Sequence, residues 1–199
     1  MATTDEITAR ARDAREAALT LFAERGYHGT TVGQIAQAMG LRRSGSLYNH
    51  IRGKQELLAE IFTEITRAVW AEFQAATKGI DDPAERLRRA TYVFVERHLN
   101  DPRGSTIVNR DISSLEEPVR SDVMKLRRRH ANAMAKLIQE GVDQGVFGVD
   151  NPRIASFAIL EMCVSVVHWF RPDGALTVDE VATEYSDFAL GLVYGPKRR

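Results

Sequence analysis

The sequence predicts an all-α fold of about nine helices in two regions: a three-helix head, then a helical body. Three observations predict it. Apolar residues recur at helical spacing through most of the chain, and caps and terminators punctuate those runs. The window from Arg25 to Gln55 holds five cations (Arg25, Arg42, Arg43, Arg52, Lys54) and no Asp or Glu. The 199-residue chain is formally neutral, so the remainder carries a net −5. A cationic patch set against an acidic remainder is what backbone phosphates attract.

Residues 5–25 read as the first helix, with Ile7, Ala11, Ala14, Ala18, Leu21 and Phe22 at helical spacing and Gly26 after the last turn. A second, short helix begins after Thr31. Thr31 and Gln34 have the spacing of a capping box, Ile35, Ala36 and Met39 form one apolar face, and Gly40 supplies the turn. A third runs from about Arg43 to His50, with Leu47 and Ile51 pointing inward and Ser44, Ser46, Tyr48, Asn49 and His50 outward. Two short helices around a tight turn make a helix-turn-helix, whose second helix enters the DNA major groove.

A long helix is expected from Gly53-Lys54 to about Thr77, striped by Leu58, Ile61, Phe62, Ile65, Val69 and Phe73, with no flexible linker between head and body. Asp82-Pro83-Ala84-Glu85 starts the next, which carries Leu87, Ala90, Phe94 and His98 on one face and stops at Asn100-Asp101-Pro102. A short, poorly defined piece spans about Thr106 to Ile112. From about Glu117 to Gln144 a helix carries Val119, Val123, Leu126, His130, Met134 and Leu137, with Arg127-Arg128-Arg129 mostly on its solvated side. Ile154 to Phe170 is apolar nearly all round, too short and too polar for a membrane span, and needs covering on every side. The last helix starts at Thr177, with Glu180 closing a capping box and Val181, Tyr185, Phe188 and Leu192 as its stripe. A second subunit is the expected cover, with Phe157, Val166, Phe170, Tyr185, Phe188 and Leu192 at a homodimer interface.

Ser46-Leu47-Tyr48-Asn49-His50-Ile51, the Gly53-Lys54 pair, Glu56-Leu57-Leu58, and the earlier Phe22-Ala23-Glu24-Arg25-Gly26-Tyr27 and Thr30-Thr31 resemble the DNA-binding domain of the TetR/AcrR family of transcriptional regulators. The resemblance is specific over roughly the first 60 residues. It implies a head at 1–53 that binds a palindromic operator in double-stranded DNA, and an effector-binding and dimerisation body at 54–199. It implies phosphate contacts from Tyr48, His50 and Lys54, base and nearby backbone contacts from Ser44, Ser46 and Asn49, and a backbone approach by Thr31 and Gly33. Seven residues separate Gly40 from Tyr48, one more than the family pattern usually has, so Arg42 and Arg43 remain alternatives for the groove.

The effector site is expected among Phe94, His98, Arg127, His130, Met134, Met162, His168, Trp169 and Arg171. The segment Val164-Ser165-Val166-Val167-His168-Trp169-Phe170-Arg171-Pro172-Asp173-Gly174 resembles one in TetR-like regulators of fatty-acid and steroid breakdown that sense acyl-CoA thioesters. That implies an apolar cavity with Arg171 or Arg127 for a phosphorylated end. Trp169 and Phe170 serve either this cavity or the dimer. No His-x3-His or similar spacing points to a metal, and no cofactor is expected. Cys163 is the one cysteine, and the N-terminus has no apolar run, so a cytoplasmic setting is expected. A helical carrier or enzyme built on the same body is the alternative, though no Ser/His/Asp or Cys/His set stands out. A DNA-binding protein without an effector is the other.

Overall fold

The computed structural model describes residues 4–41, 44–49 and 51–195. Among these residues there are eight α-helices, three 3-10 segments and no strand. The helices are α1 (Thr4–Arg25), α2 (Val32–Ala38), α3 (Lys54–Thr77), α4 (Pro83–Asn100), α5 (Pro102–Arg110), α6 (Val119–Asp143), α7 (Pro152–Ser165) and α8 (Val178–Tyr194). The 3-10 segments are Ser44–Asn49, Ile112–Ser114 and Val166–His168.

The caps read from the sequence are present. Thr31 and Gln34 close a capping box at α2, and Thr177 and Glu180 close one at α8. The Asp82 carboxylate accepts from the Ala84 N–H at 3.0 Å, with Pro83 as the first residue of α4. Gly40 ends α2 at φ +72°, where side chains are disfavoured, and the Leu41 N–H closes the turn on the Ala36 carbonyl at 2.9 Å.

Three segments differ from expectation. The recognition segment is 3-10 rather than α-helical, and it is only six residues long with Gly45 inside it. Glycine is a poor helix former and short segments nucleate poorly. The piece expected around Thr106 is a well-formed helix, α5, that starts earlier, at Pro102. Asp101-Pro102 therefore both ends α4 and opens the next helix, because proline is disfavoured inside a helix but suited to its first position. The apolar segment is α-helical only to Ser165, and Val166–His168 tightens into 3-10.

Contacts divide the chain into two compact units. The first comprises residues 1–65 and 103–123, the second 66–102 and 124–199. The division falls twelve residues beyond the boundary at 53 drawn from the motif, because Leu57, Leu58, Ile61, Phe62 and Ile65 of α3 are buried in the first unit's core. That core also holds Ala14, Ala18, Phe22, Ile35, Leu47 and Ile107. Residues 103–123 join the first unit through α5, which had no place in the motif.

The second unit's core gathers Leu87, Ala90 and Val95 of α4, Met134, Leu137 and Ile138 of α6, Ile159 and Cys163 of α7, and Val181, Ala189 and Val193 of α8. At the end of α6, the Phe147 ring lies so close to Gly141 that a Cβ there would stand 2.1 Å from the ring. Phe147 is itself buried and cannot swing aside. Gly141→Ala should therefore cost about 1–3 kcal/mol by overpacking, seen as a lower urea midpoint with an unchanged slope. A midpoint equal to wild type would show that the ring relocates freely.

Candidate DNA interface and effector site

In the first unit, α1 ends at Arg25 and the chain turns through Gly26 to Thr30 before α2. Thr30 is buried, and its hydroxyl donates towards the carbonyls of Gly26 (2.9 Å) and Leu21 (3.2 Å). Lys54, the first residue of α3, reaches back to this turn. Its ammonium donates to the carbonyls of Tyr27 (2.9 Å) and Thr30 (3.0 Å) and sits 4.1 Å above the Tyr27 ring. From α5, the Arg110 guanidinium donates to the carbonyls of Phe22 and, at 3.1 Å, of Ala23. The buried Asp111 carboxylate accepts from the same guanidinium at 2.8 Å. Gln55 Nε2 donates to the Ser114 carbonyl at 3.0 Å.

These contacts hold the surface from which the motif projects. Leu47 and Ile51 are buried, as the spacing predicts, and Tyr48 between them is 57% exposed. Thr31 and Gly33 are exposed at the start of α2. The Thr31 hydroxyl is engaged in its own capping box, 3.2 Å from the Gln34 N–H, so a phosphate there would meet mainly backbone. Lys54 differs most from expectation. Two of its three N–H groups are taken by carbonyls, which leaves one for a phosphate. Arg42, Arg43 and His50, and the side chains of Ser44, Ser46 and Asn49, lie outside the described residues. Sequence reasoning placed Tyr27 and Thr30 in the motif without their bonds to Lys54, and it missed Arg110. Arg110 is 88 residues from Phe22, and no local signal links them.

In the second unit, four of the nine candidate effector residues come together. Phe94 packs edge-on to His98, with centroids 4.5 Å apart, and tilted to His130 at 5.1 Å. Phe73 meets His130 edge-on at 5.0 Å, and Met134 is buried one turn along α6. His98 Nδ1–H donates to the Phe94 carbonyl at 2.7 Å. Burial pushes both histidines below their ordinary value, His130 to about 4 with nearby His98 adding to the effect. Burial likewise lowers Arg127, which Glu161 partly offsets.

His168, Trp169 and Arg171 do not join this cluster's ring contacts. All three are exposed, and the Trp169 indole N–H donates to the Tyr185 hydroxyl at 3.1 Å while their rings stack. Met162 is half-buried on α7. Among the described residues no three His, Cys, Asp or Glu side chains converge as metal ligands, and no helix is long and apolar enough to cross a membrane.

The expected dimer residues separate. Phe188 is 57% exposed, Phe157 48%, and Leu192 is also exposed, while Tyr185 and Phe170 are half-buried. Val166 has no exposed surface. It belongs to the protomer's own core and cannot face a partner, a correction to its placement at the interface. The α8 stripe is likewise split. Val181 points inward with Ala182, Ser186, Ala189, Leu190 and Val193, and Phe188 and Leu192 point out. Ile154, Leu176 and Tyr194 add exposed apolar surface that the sequence did not single out.

A capped helix, a glycine turn and a short helical segment that buries Leu47 and exposes Tyr48, followed by a helical body, define a helix-turn-helix transcriptional regulator. The chain belongs to the TetR family: the model described as bacterial regulatory proteins, tetR family, matches residues 14–61, and a tetracyclin repressor-like C-terminal domain matches residues 80–193. The HTH-type transcriptional repressor KstR2 of Rhodococcus jostii is 30% identical over 189 residues, covering 90% of this chain and 88% of that protein. The structure of the ketosteroid transcriptional regulator KstR2 of Mycobacterium tuberculosis superposes with a TM-score of 0.87 at 26% identity, covering 94% of this chain and 96% of that one. AibR, solved in complex with isovaleryl coenzyme A and operator DNA, shares the fold with a TM-score of 0.80 at 24% identity, covering 94% and 99%.

Proposed function

We propose that this regulator is a cytoplasmic repressor that binds a palindromic operator as a homodimer. An acyl-CoA thioester, apolar at its acyl end and phosphorylated at the other, occupies the helical body and releases the operator. One observation carries the reading: outward Tyr48 lies in an acid-free basic window, while exposed Phe157, Phe188 and Leu192 give the same chain an apolar face for a second copy. A twofold pair presents two heads to two half-sites, about 34–36 Å apart for one turn of DNA. The effector acts by binding better to the form whose heads no longer match that spacing. The fold-level relation to a regulator solved with a CoA thioester and operator DNA supports the ligand class.

The test is a gel shift on the gene's own upstream region at two salt concentrations, with and without decanoyl-CoA. Sequence-dependent binding that decanoyl-CoA releases is the expected result. Binding without sequence preference would leave a DNA-organising protein, and no binding would revive the carrier.

Lys54→Met separates two roles. Loss of its bonds to Tyr27 and Thr30 should destabilise the first unit by about 1–2 kcal/mol. If its remaining N–H meets a phosphate, the slope of log affinity against log salt should also flatten by about one. Destabilisation with an unchanged slope would assign Lys54 to the turn alone.

A further inference from the structure

His130 Nε2 is shut off from solvent and has no hydrogen-bond partner, on a side chain only 7% exposed. On α4, fully buried Thr91 carries a second unpartnered atom, its hydroxyl oxygen. Thr91 stands three residues before Phe94, the neighbouring position on that helix face, and Phe94 packs on His130. Buried polar groups are ordinarily bonded, so two orphans bordering one phenylalanine ask for a missing partner. Phe94 and Trp70 are half-buried, so the ring cluster reaches the unit's surface.

We propose that this cluster is where the body recognises its ligand through an uncharged oxygen, a hydroxyl or ketone borne on an alicyclic or aliphatic skeleton. The proposal rests on the reading of the body as an effector site. A neutral imidazole offers one N–H and one lone pair, and a hydroxyl complements either while a ketone complements the N–H. The surrounding walls are Phe73, Phe94 and Met134, which suit an apolar skeleton. An anion fits poorly. It would be stripped of water and would have to draw a proton onto a ring that burial holds neutral.

The cations around the cluster are engaged to different degrees. Arg97 donates to Glu72 at 2.5 Å through one terminal nitrogen while its Nε is buried without a partner, Arg129 lies over the Trp70 ring, and Glu161 partly offsets the burial of Arg127. Asp101 is the acid whose charge bears on His98.

The test uses full-length protein labelled with 15N-histidine, titrated with cyclohexanol, cyclohexanone and cyclohexanecarboxylate, alongside wild-type operator release by decanoyl-CoA. The alcohol and ketone are expected to move the His130 Nε2 resonance, with affinity constant from pH 6.5 to 8. The carboxylate should bind at least about tenfold more weakly. His130→Phe should lose about tenfold in affinity for the alcohol, and His130→Gln, which restores a polar atom, should regain some of it. Equal binding in wild type and His130→Phe, or carboxylate binding that tightens as pH falls, overturns the proposal. If decanoyl-CoA still releases operator in that case, the effector reading stands without it. If neither fragments nor decanoyl-CoA bind, both fall.

Discussion

Phe188→Arg should turn a dimer into a monomer in sedimentation at micromolar protein, and operator affinity should fall with it. Phe188 is 57% exposed in the single protomer, on α8 but turned away from the face that buries Ala182, Ser186 and Val193. Exposed Phe157 and Ile154 lie on α7, and Leu192 one turn further along α8. A monomer seldom leaves large apolar patches in water, and Phe188 and Leu192 share one face of α8. Phe188 is already partly covered, so burying the rest of each ring contributes about 1–2 kcal/mol, and a twofold interface contains the residue twice, so its loss weakens the dimer by about 2–4 kcal/mol, or roughly two to three decades in Kd. The two new guanidinium groups would add unpaired charge to a dry surface.

Val166→Asp is the contrasting variant. Val166 has no exposed surface, so a carboxylate there should unfold the second unit rather than separate a pair of folded copies. An unchanged sedimentation profile for Phe188→Arg would refute the proposed interface. So would a folded, monomeric Val166→Asp.

The same pair of residues shows where the sequence was readable. Helix ends were, because their signals are local. Lys54–Thr77 spans the expected run from Gly53-Lys54 to about Thr77, and the Thr31–Gln34 and Thr177–Glu180 boxes form as spaced. Helical periodicity also separates Leu47 and Ile51 from Tyr48.

Which side of an apolar surface faces the protomer and which faces outward is not local information. Val166 and Phe188 were equally good candidates for a partner until α4 and α7 covered one of them. Lys54 shows the same limit from the polar side. A lysine at a helix start beside a DNA-reading motif suits a phosphate, but the carbonyls of Tyr27 and Thr30, 27 and 24 residues earlier, take two of its bonds first. Asp101-Pro102 is a third kind of failure. It has the Asp-Pro signature that correctly opened α4, but it was read only as a stop. His98, His130 and His168 all lie in the second unit. Only the structure distinguishes buried His98 and His130 from exposed His168, because the chain tightens into a 3-10 turn over the three residues past the end of α7 and changes the direction a side chain points.

The buried histidines make the protein acid-sensitive, with a definite pH window. An unfolded chain protonates His130 near the ordinary histidine value of 6.5, whereas the folded unit resists protonation until about pH 4. Above 6.5 both states hold a neutral ring and stability does not change with pH on its account. Between 6.5 and 4 the unfolded state binds more protons, so each unit of acidification favours unfolding by about 1.4 kcal/mol. The loss from this ring reaches about 2 kcal/mol at pH 5 and about 3 kcal/mol by pH 4, then levels off once both states are protonated. His98, lowered chiefly by burial with Arg97 and Arg127 adding to it, acts in the same direction.

His130→Phe isolates the contribution. It keeps the ring against Phe73 and Phe94 and removes both the titration and the unbonded Nε2. At pH 7.5 the variant should be at least as stable as wild type, because an unsatisfied buried nitrogen has gone. At pH 5 it should be the more stable of the two by about a further 2 kcal/mol in urea unfolding. Parallel stability curves for the two proteins from pH 7.5 to 5 would mean that His130 takes up its proton as readily in the folded state as in the unfolded one. The neutral-oxygen recognition proposed for its Nε2 would then lose its physical basis.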